Sequence, residues 1–263
     1  MEKIDLHIHS KYSDGSLTVK DVIELCIDSG ISAISITDHD EIAGNREAKE
    51  FCLNRNIQVI SGIEITTTWK IPLHILAYDF DDTKEEMINL CKNAKMYRLM
   101  EFSSIIGKLK KNGINVDAKK MLEMKINSVS ELAKYLYSWG LGESVQDVKR
   151  KFFSYGGIAF VNKKGPSLEN VISLVHECGG KAILAHPGRM RVSNQNFWSC
   201  IEEIKEKGID GIEVYSPHNH NSDELLSYCL TNHLIYTGGS DFHSKKGGAI
   251  GINNRVPLSW IKK

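Results

Sequence analysis

His7 and His9 close the first β-rich run, Lys3 to His9, and the two-residue pleat of a strand turns both imidazoles to the same side. Two neutral imidazoles presented together are a ready pair of metal ligands. Ser13-Asp14-Gly15 follows as a polar turn, and the next strand-like run ends on Thr37-Asp38-His39-Asp40, which suits a rim better than a core. Glu64 stands between Ile63 and Ile65 and so faces away from them, and His74 is the lone polar group of Leu73-His74-Ile75-Leu76. Later runs end on Ala185-His186-Pro187, on Glu213 with His218, and on Ser240-Asp241-Phe242-His243.

The chain has ten histidines, and six of them (His7, His9, His39, His74, His186 and His243) fall at or beside expected strand C-termini, where α/β barrels place their active sites. His176 and His233 instead sit in or at the end of helical patterns, where packing or a helix-terminus role accounts for them. With Asp14, Glu64 and Asp241 the six give nine candidate ligands, too many for one tetrahedral ion. Imidazole and carboxylate without thiolate select Mn, Fe or Zn, so the expectation is two to three divalent ions with Glu64 as a bridge. Such ions outweigh three carboxylates, leave the site positive, and draw in a phosphate dianion. A metal-bound hydroxide would then attack the phosphorus in line. Glu64, Asp241 and His218 are the expected catalytic residues; the leaving oxygen would be met by a metal first, by His218 second, or by His220. Arg189, Arg98, Lys163 and His218 are the candidates for holding substrate phosphate.

The elements that must position these residues follow a βαβ rhythm. Strands are expected at Lys3–His9, Ala33–Thr37, Gln58–Thr66, Leu73–Leu76, Lys181–Ala185, Gly211–Val214 and Leu234–Thr237, with helical patterns between most of them. Between Thr83 and Gly157 the strand signal vanishes, and Met87, Leu90, Ala94, Leu99, Phe102, Ile105 and Leu109 recur at helical spacing. The reading is an α/β barrel of residues 1–82 and 157–263, split by a helical insertion at 83–156 that covers the active site. The 33 basic and 33 acidic side chains cancel, so the net charge gives no sign of a protein that clings to nucleic acid nonspecifically, and no duplex DNA partner is expected. No apolar run approaches membrane-span length and no leader precedes the first strand, so a soluble cytoplasmic protein is expected. Six scattered cysteines without a C-x-x-C pair read as buried reduced thiols.

Asp5-Leu6-His7-Ile8-His9-Ser10, Thr37-Asp38-His39-Asp40, Gly62-Ile63-Glu64, His186-Pro187-Gly188-Arg189 and Gly239-Ser240-Asp241-Phe242-His243, in this order, resemble the PHP (polymerase and histidinol phosphatase) family. The resemblance implies a distorted seven-stranded (β/α) barrel with a trinuclear site. It implies that His7, His9, Glu64 and Asp241 surround one metal, that Glu64 bridges to a second held by His74 and His186, and that Asp14, His39 and His243 hold a third. Asp14 stands where other members use His, which hardens that position toward Mn. The insertion is similar to that of stand-alone members acting on nucleoside 3′,5′-bisphosphates or on short RNA 5′ ends. Many of those carry Arg-x-His-x-Ala, where this chain has Val129-Ser130-Glu131-Leu132-Ala133. A histidinol-phosphate-type phosphatase, an amidohydrolase-type metallohydrolase and a non-catalytic metal-binding module are the alternatives.

Overall fold

The computed structural model describes residues 3–124, 126, 128–162, 164–252 and 256–261. The chain divides into two compact units, Met1–Lys92 with Gly165–Lys263, and Asn93–Lys164.

Among the described residues, the larger unit holds eight strands. β1 (Lys3–Ile8), β2 (Ile31–Ile36) and β3 (Gln58–Val59) form a parallel sheet in that order. The second sheet runs β4 (Gly62–Thr68), β5 (Pro72–Tyr78), β6 (Lys181–Leu184), β7 (Gly211–Tyr215) and β8 (Ile235–Gly238). Single bridges pair Ile8 with Phe242 and His39 with Glu64, stitching one sheet to the other at two places. Helices α1 (Val19–Asp28) and α2 (Ala43–Cys52) flank the first sheet. α1 opens on a Thr18–Asp21 capping box and buries Val19, Val22, Ile23 and Cys26, the stripe its period dictates.

Eight strands in sheets of three and five replace the expected ring of seven, for two physical reasons. The run Gln58–Thr66 is interrupted at Ile60–Ser61, because the Asn45 amide takes both backbone groups of Gly62 (2.9 Å from its N, 2.8 Å from its O) and ends the pairing with β2. A Cβ at Gly62 would meet the Ser35 hydroxyl at 1.9 Å, so only glycine passes there. Between β4 and β5 only Trp69-Lys70-Ile71 intervene, too short for a crossover helix, so these strands form an antiparallel hairpin. β5 also pairs antiparallel with β6.

α7 (Leu168–Glu177), α8 (Asn194–Glu206) and α9 (Ser222–Thr231) complete the larger unit, against a core that includes Ile65, Ile75, Leu184, Ile212 and Val214. α3 (Glu85–Lys111) starts in this unit and continues into the second. That second unit adds α4 (Ala118–Glu123), α5 (Val129–Ser138), α6 (Val145–Val148) and a π-helical turn at Lys149–Phe153, around Ile105, Leu109, Leu132, Leu136, Val148 and Phe152. All six cysteines are free thiols, five buried and Cys200 half-buried. No helix among the described residues is long and apolar enough to cross a membrane.

Candidate metal centre

Glu64, buried on β4, has carboxylate oxygens that face two different groups of imidazoles. His74 Nδ1 and His186 Nε2 each lie 2.8 Å from its Oε1. Its Oε2 faces His39 Nδ1 at 2.9 Å, His9 Nε2 at 3.4 Å and His7 Nε2 at 3.5 Å. The hairpin makes the first set possible: His74 pairs with Thr66 and Glu64 with Leu76, so Glu64 and His74 are diagonal neighbours on one face. Asp241, just past β8, places Oδ1 3.1 Å from His9 Nε2 and 3.4 Å from His7 Nε2. Its Oδ2 accepts hydrogen bonds from His218 Nε2 and Arg189 Nη1, each at 2.9 Å. Asp14 lies 3.4 Å from His243 Nε2, 3.6 Å from His9 Nδ1 and 3.9 Å from His39 Nε2.

All nine expected ligands are therefore in one place, as four overlapping groups whose donor atoms lie within 4.8 Å of one another. The groups are His7-Glu64-His186, His7-His9-Asp241, His39-Glu64-His74 and His9-Asp14-His39-His243. They differ from the expected partition in three ways: His9 joins the Asp14 group, His186 groups with His7 and Glu64, and His39 takes the place of His186 beside Glu64 and His74. His7 Nε2 and His9 Nδ1 are buried and make no hydrogen bond, a condition that costs about 1–3 kcal/mol per group unless a cation takes the lone pair. The residues present fit divalent ions.

Charge within the cluster is strongly coupled. Burial opposes ionisation of Glu64, but His39, His74 and His7 hold its carboxyl well below the usual range. Burial holds His9 down to about 4, whereas His39, half-buried, is drawn up to about 9 by Glu64 against desolvation. Burial and the Arg189 guanidinium hold His218 below the ordinary histidine range.

Three buried carboxylates outside the nine fix the donors. Glu213 on β7 accepts a hydrogen bond from the His186 backbone N–H at 2.7 Å and lies 2.9 Å from His7 Nδ1, which leaves the His7 Nε2 lone pair for the centre. The same contact secures His186 at φ 27°, a strained conformation for a residue before proline. Asp5 accepts from the His7, Ser240 and Gly251 N–H groups and from the Ser240 hydroxyl, tying β1 to the loop that carries Asp241. Asp38 accepts from the Ser10 N–H and from the hydroxyls of Ser10 and Ser13, shaping the turn that presents Asp14. Sequence reasoning assigned these three no role, although Glu213 between Ile212 and Val214 carries the same alternation signal as Glu64.

Among the expected substrate residues, Arg189 and His218 meet at Asp241. His220 is exposed and is not one of the residues gathered there. Arg98 lies on α3 in the helical unit, and Lys163 lies outside the described residues. In Val129–Ala133, Leu132 and Ala133 are buried in the helical unit's own core, and Glu131 completes the Ser128 N-cap of α5. Glu131 thus serves the start of a helix.

A family model for the PHP domain matches residues 5–234. The chain belongs to the PHP domain family. It is a metal-dependent phosphoester hydrolase of that family. A 5′-3′ exoribonuclease of Haemophilus influenzae is 31% identical to it over 267 residues, spanning 99% of this chain and 93% of the relative. A 3′,5′-nucleoside bisphosphate phosphatase of Chromobacterium violaceum is 29% identical over 99% of this chain and 94% of its own. Among solved structures, a protein from Chromobacterium violaceum described as an amidohydrolase, with bound sulfate and no metal, superposes with a TM-score of 0.80 at 28% identity, covering 97% of this PHP chain and 92% of that one.

Proposed function

We propose that this PHP protein removes phosphate from a nucleotide carrying a second phosphate, a nucleoside 3′,5′-bisphosphate or the 5′ end of a short RNA. The observation that carries the reading is the meeting of Arg189 and His218 on one oxygen of Asp241, at the edge of the nine-donor cluster. A fixed cation and a hydrogen-bond donor side by side are what a phosphoryl group beyond the scissile one would be read by.

Two or three divalent ions, Mn, Fe or Zn, held by His7, His9, Asp14, His39, Glu64, His74, His186, Asp241 and His243 would acidify water and neutralise phosphoryl charge. The chain's own residues do the rest. Glu64 keeps its two imidazole sets in register. Arg189, half exposed, can swing from Asp241 to a phosphoryl oxygen at little desolvation cost. His218 enters neutral and holds Asp241 Oδ2, so Oδ1 stays aimed at His7 and His9. The relatives named for bisphosphate and RNA chemistry, and the sulfate bound by the structural neighbour, support an oxyanion substrate. That neighbour's amidohydrolase description makes amide hydrolysis the rival.

The test is phosphate release from adenosine 3′,5′-bisphosphate and adenosine 3′-monophosphate under added Mn²⁺, beside a panel of amides. A preference for the bisphosphate of roughly tenfold, lost in Arg189→Ala, is the expected result for one charge-assisted contact. Equal rates on the two nucleotides would mean that the second phosphate is not read, and turnover of amides alone would overturn the reading.

A further inference from the structure

The neutral net charge of the chain hides a division between its two units. Residues 93–164 hold fourteen Lys and Arg against six Asp and Glu, a net +8, so the remainder of the chain carries −8. A helical unit needs no such excess to fold, since like charges at close spacing destabilise it.

Part of the excess is gathered around one exposed ring. Tyr155 is 91% exposed and follows the Lys149-Arg150-Lys151 run of the π-helical turn. The loop that carries it is tied down rather than loose: Ile158 N–H donates to the Lys151 carbonyl at 3.1 Å, Ala159 N–H to the Phe152 carbonyl at 2.7 Å, and Gly157 N–H to the Ser154 carbonyl at 2.8 Å. The Phe160 ring meets Tyr155 edge-on at 5.5 Å between centroids, and Lys108 of α3 donates to the Phe160 carbonyl. Asp147 pairs with both Arg150 and Lys151, so one carboxylate is shared by two cations whose side chains are 76% and 46% exposed. Such exposed pairs are readily exchanged for a phosphate.

We propose that this face of the helical unit binds single-stranded nucleic acid without regard to sequence, a base stacking on Tyr155 while Lys149, Arg150 and Lys151 track the phosphates. A fixed aromatic face beside a cationic run is the combination that single-stranded chains need, and its charge complements a polyanion. This rests on the nucleotide reading above only for the identity of the substrate end; the surface itself is independent of catalysis.

The experiment uses the full chain and a fluorescent, 5′-phosphorylated single-stranded RNA of roughly 12 nucleotides, within the usual site size of such surfaces. Anisotropy gives Kd, and adenosine 3′,5′-bisphosphate turnover is measured on the same samples. Binding is expected to weaken roughly twentyfold between about 50 and 200 mM salt, as three neutralised phosphates on a single strand dictate. Tyr155→Ala, and separately Arg150→Gln with Lys151→Gln, should each weaken RNA binding at least about fivefold while bisphosphate turnover and the helical circular dichroism stay unchanged. RNA binding lost in the variants of a chain that turns over no nucleotide would uphold the surface and sink only the nucleotide reading. Identical RNA affinity in wild type and both variants overturns the proposal. So does low-salt self-association without RNA binding, which would assign the basic unit to the acidic one of a second copy.

Discussion

At the scale of single residues, Glu64 bears the most. Because each of its oxygens serves a different imidazole set, Glu64→Gln should nearly abolish phosphoesterase turnover under saturating Mn²⁺ and leave the melting of the metal-free protein close to wild type. Retained turnover would remove Glu64 from the bridging role. Glu213 touches no substrate, yet it orients His7 and holds the strained backbone of His186. Glu213→Gln should therefore weaken metal binding roughly 10–100-fold, measured by titration calorimetry with Mn²⁺, since such outer carboxylates fix ligand orientation. An unchanged affinity would make Glu213 a core residue only. That Glu64 and His74 would come together with the other donors was legible because a lone polar group in an apolar strand breaks the hydrophobic pattern. Asp5 and Glu213 break it in the same way, and Asp38 sits in the same polar run as His39; what the sequence lacks is the distance that separates a metal-facing residue from the one holding it.

At the scale of elements, Asp210 clips three of them together before β7. Its carboxylate accepts from the Ala182 N–H at 2.8 Å, from Lys181 Nζ at 3.0 Å and lies 2.7 Å from His176 Nε2 at the end of α7. Burial works against its charge, but the Ala182, His176 and Lys181 contacts hold its pKa below the usual carboxylate value. A group lowered in the folded state stabilises the fold above its unfolded pKa and loses that contribution as the pH falls through the folded value. Asp210→Asn should thus cost about 1–3 kcal/mol at pH 7, with the deficit shrinking below about pH 4. Urea melts at the two pH values decide it; a constant deficit would show that charge is not involved. The α/β rhythm and the helical block were readable from periodicity. The β4–β5 hairpin and the break before Gly62 were not, because loop length and the Asn45 clasp, rather than hydrophobic pattern, set them. His176, expected to act at a helix end, does so through this clip.

At the scale of the whole molecule, nine converging donors predict two to three equivalents of Mn, Fe or Zn in undialysed protein, by elemental analysis, and one equivalent or fewer would contradict a multinuclear centre. Ions that bind only the folded chain stabilise it by about 2.7 kcal/mol per site at a concentration of 100 Kd. Chelation should therefore lower Tm by several degrees, and Mn²⁺ should restore it. A lack of any shift would mean that the buried lone pairs of His7 and His9 are satisfied without metal. The balanced overall charge was read from the sequence correctly as a total, but it concealed the +8 of residues 93–164, because a sum says nothing about where units divide.

The tie between β1 and the segment after β8 has a consequence for how the protein comes into being. Asp5 bonds to Ser240 and Gly251, and His7 and His9 face Asp241, so partners lie more than 230 positions apart. During synthesis β1 can pair with β2 as soon as Ile36 has emerged, but its histidines meet only a partial donor set until residue 243 has left the ribosome. An ion captured early would be held by few ligands and would exchange freely, because the donor set that could retain it closes last. Hydrolytic activity would thereby be withheld from the growing chain, and the metal finally kept would be selected by the finished fold rather than by the first ion encountered.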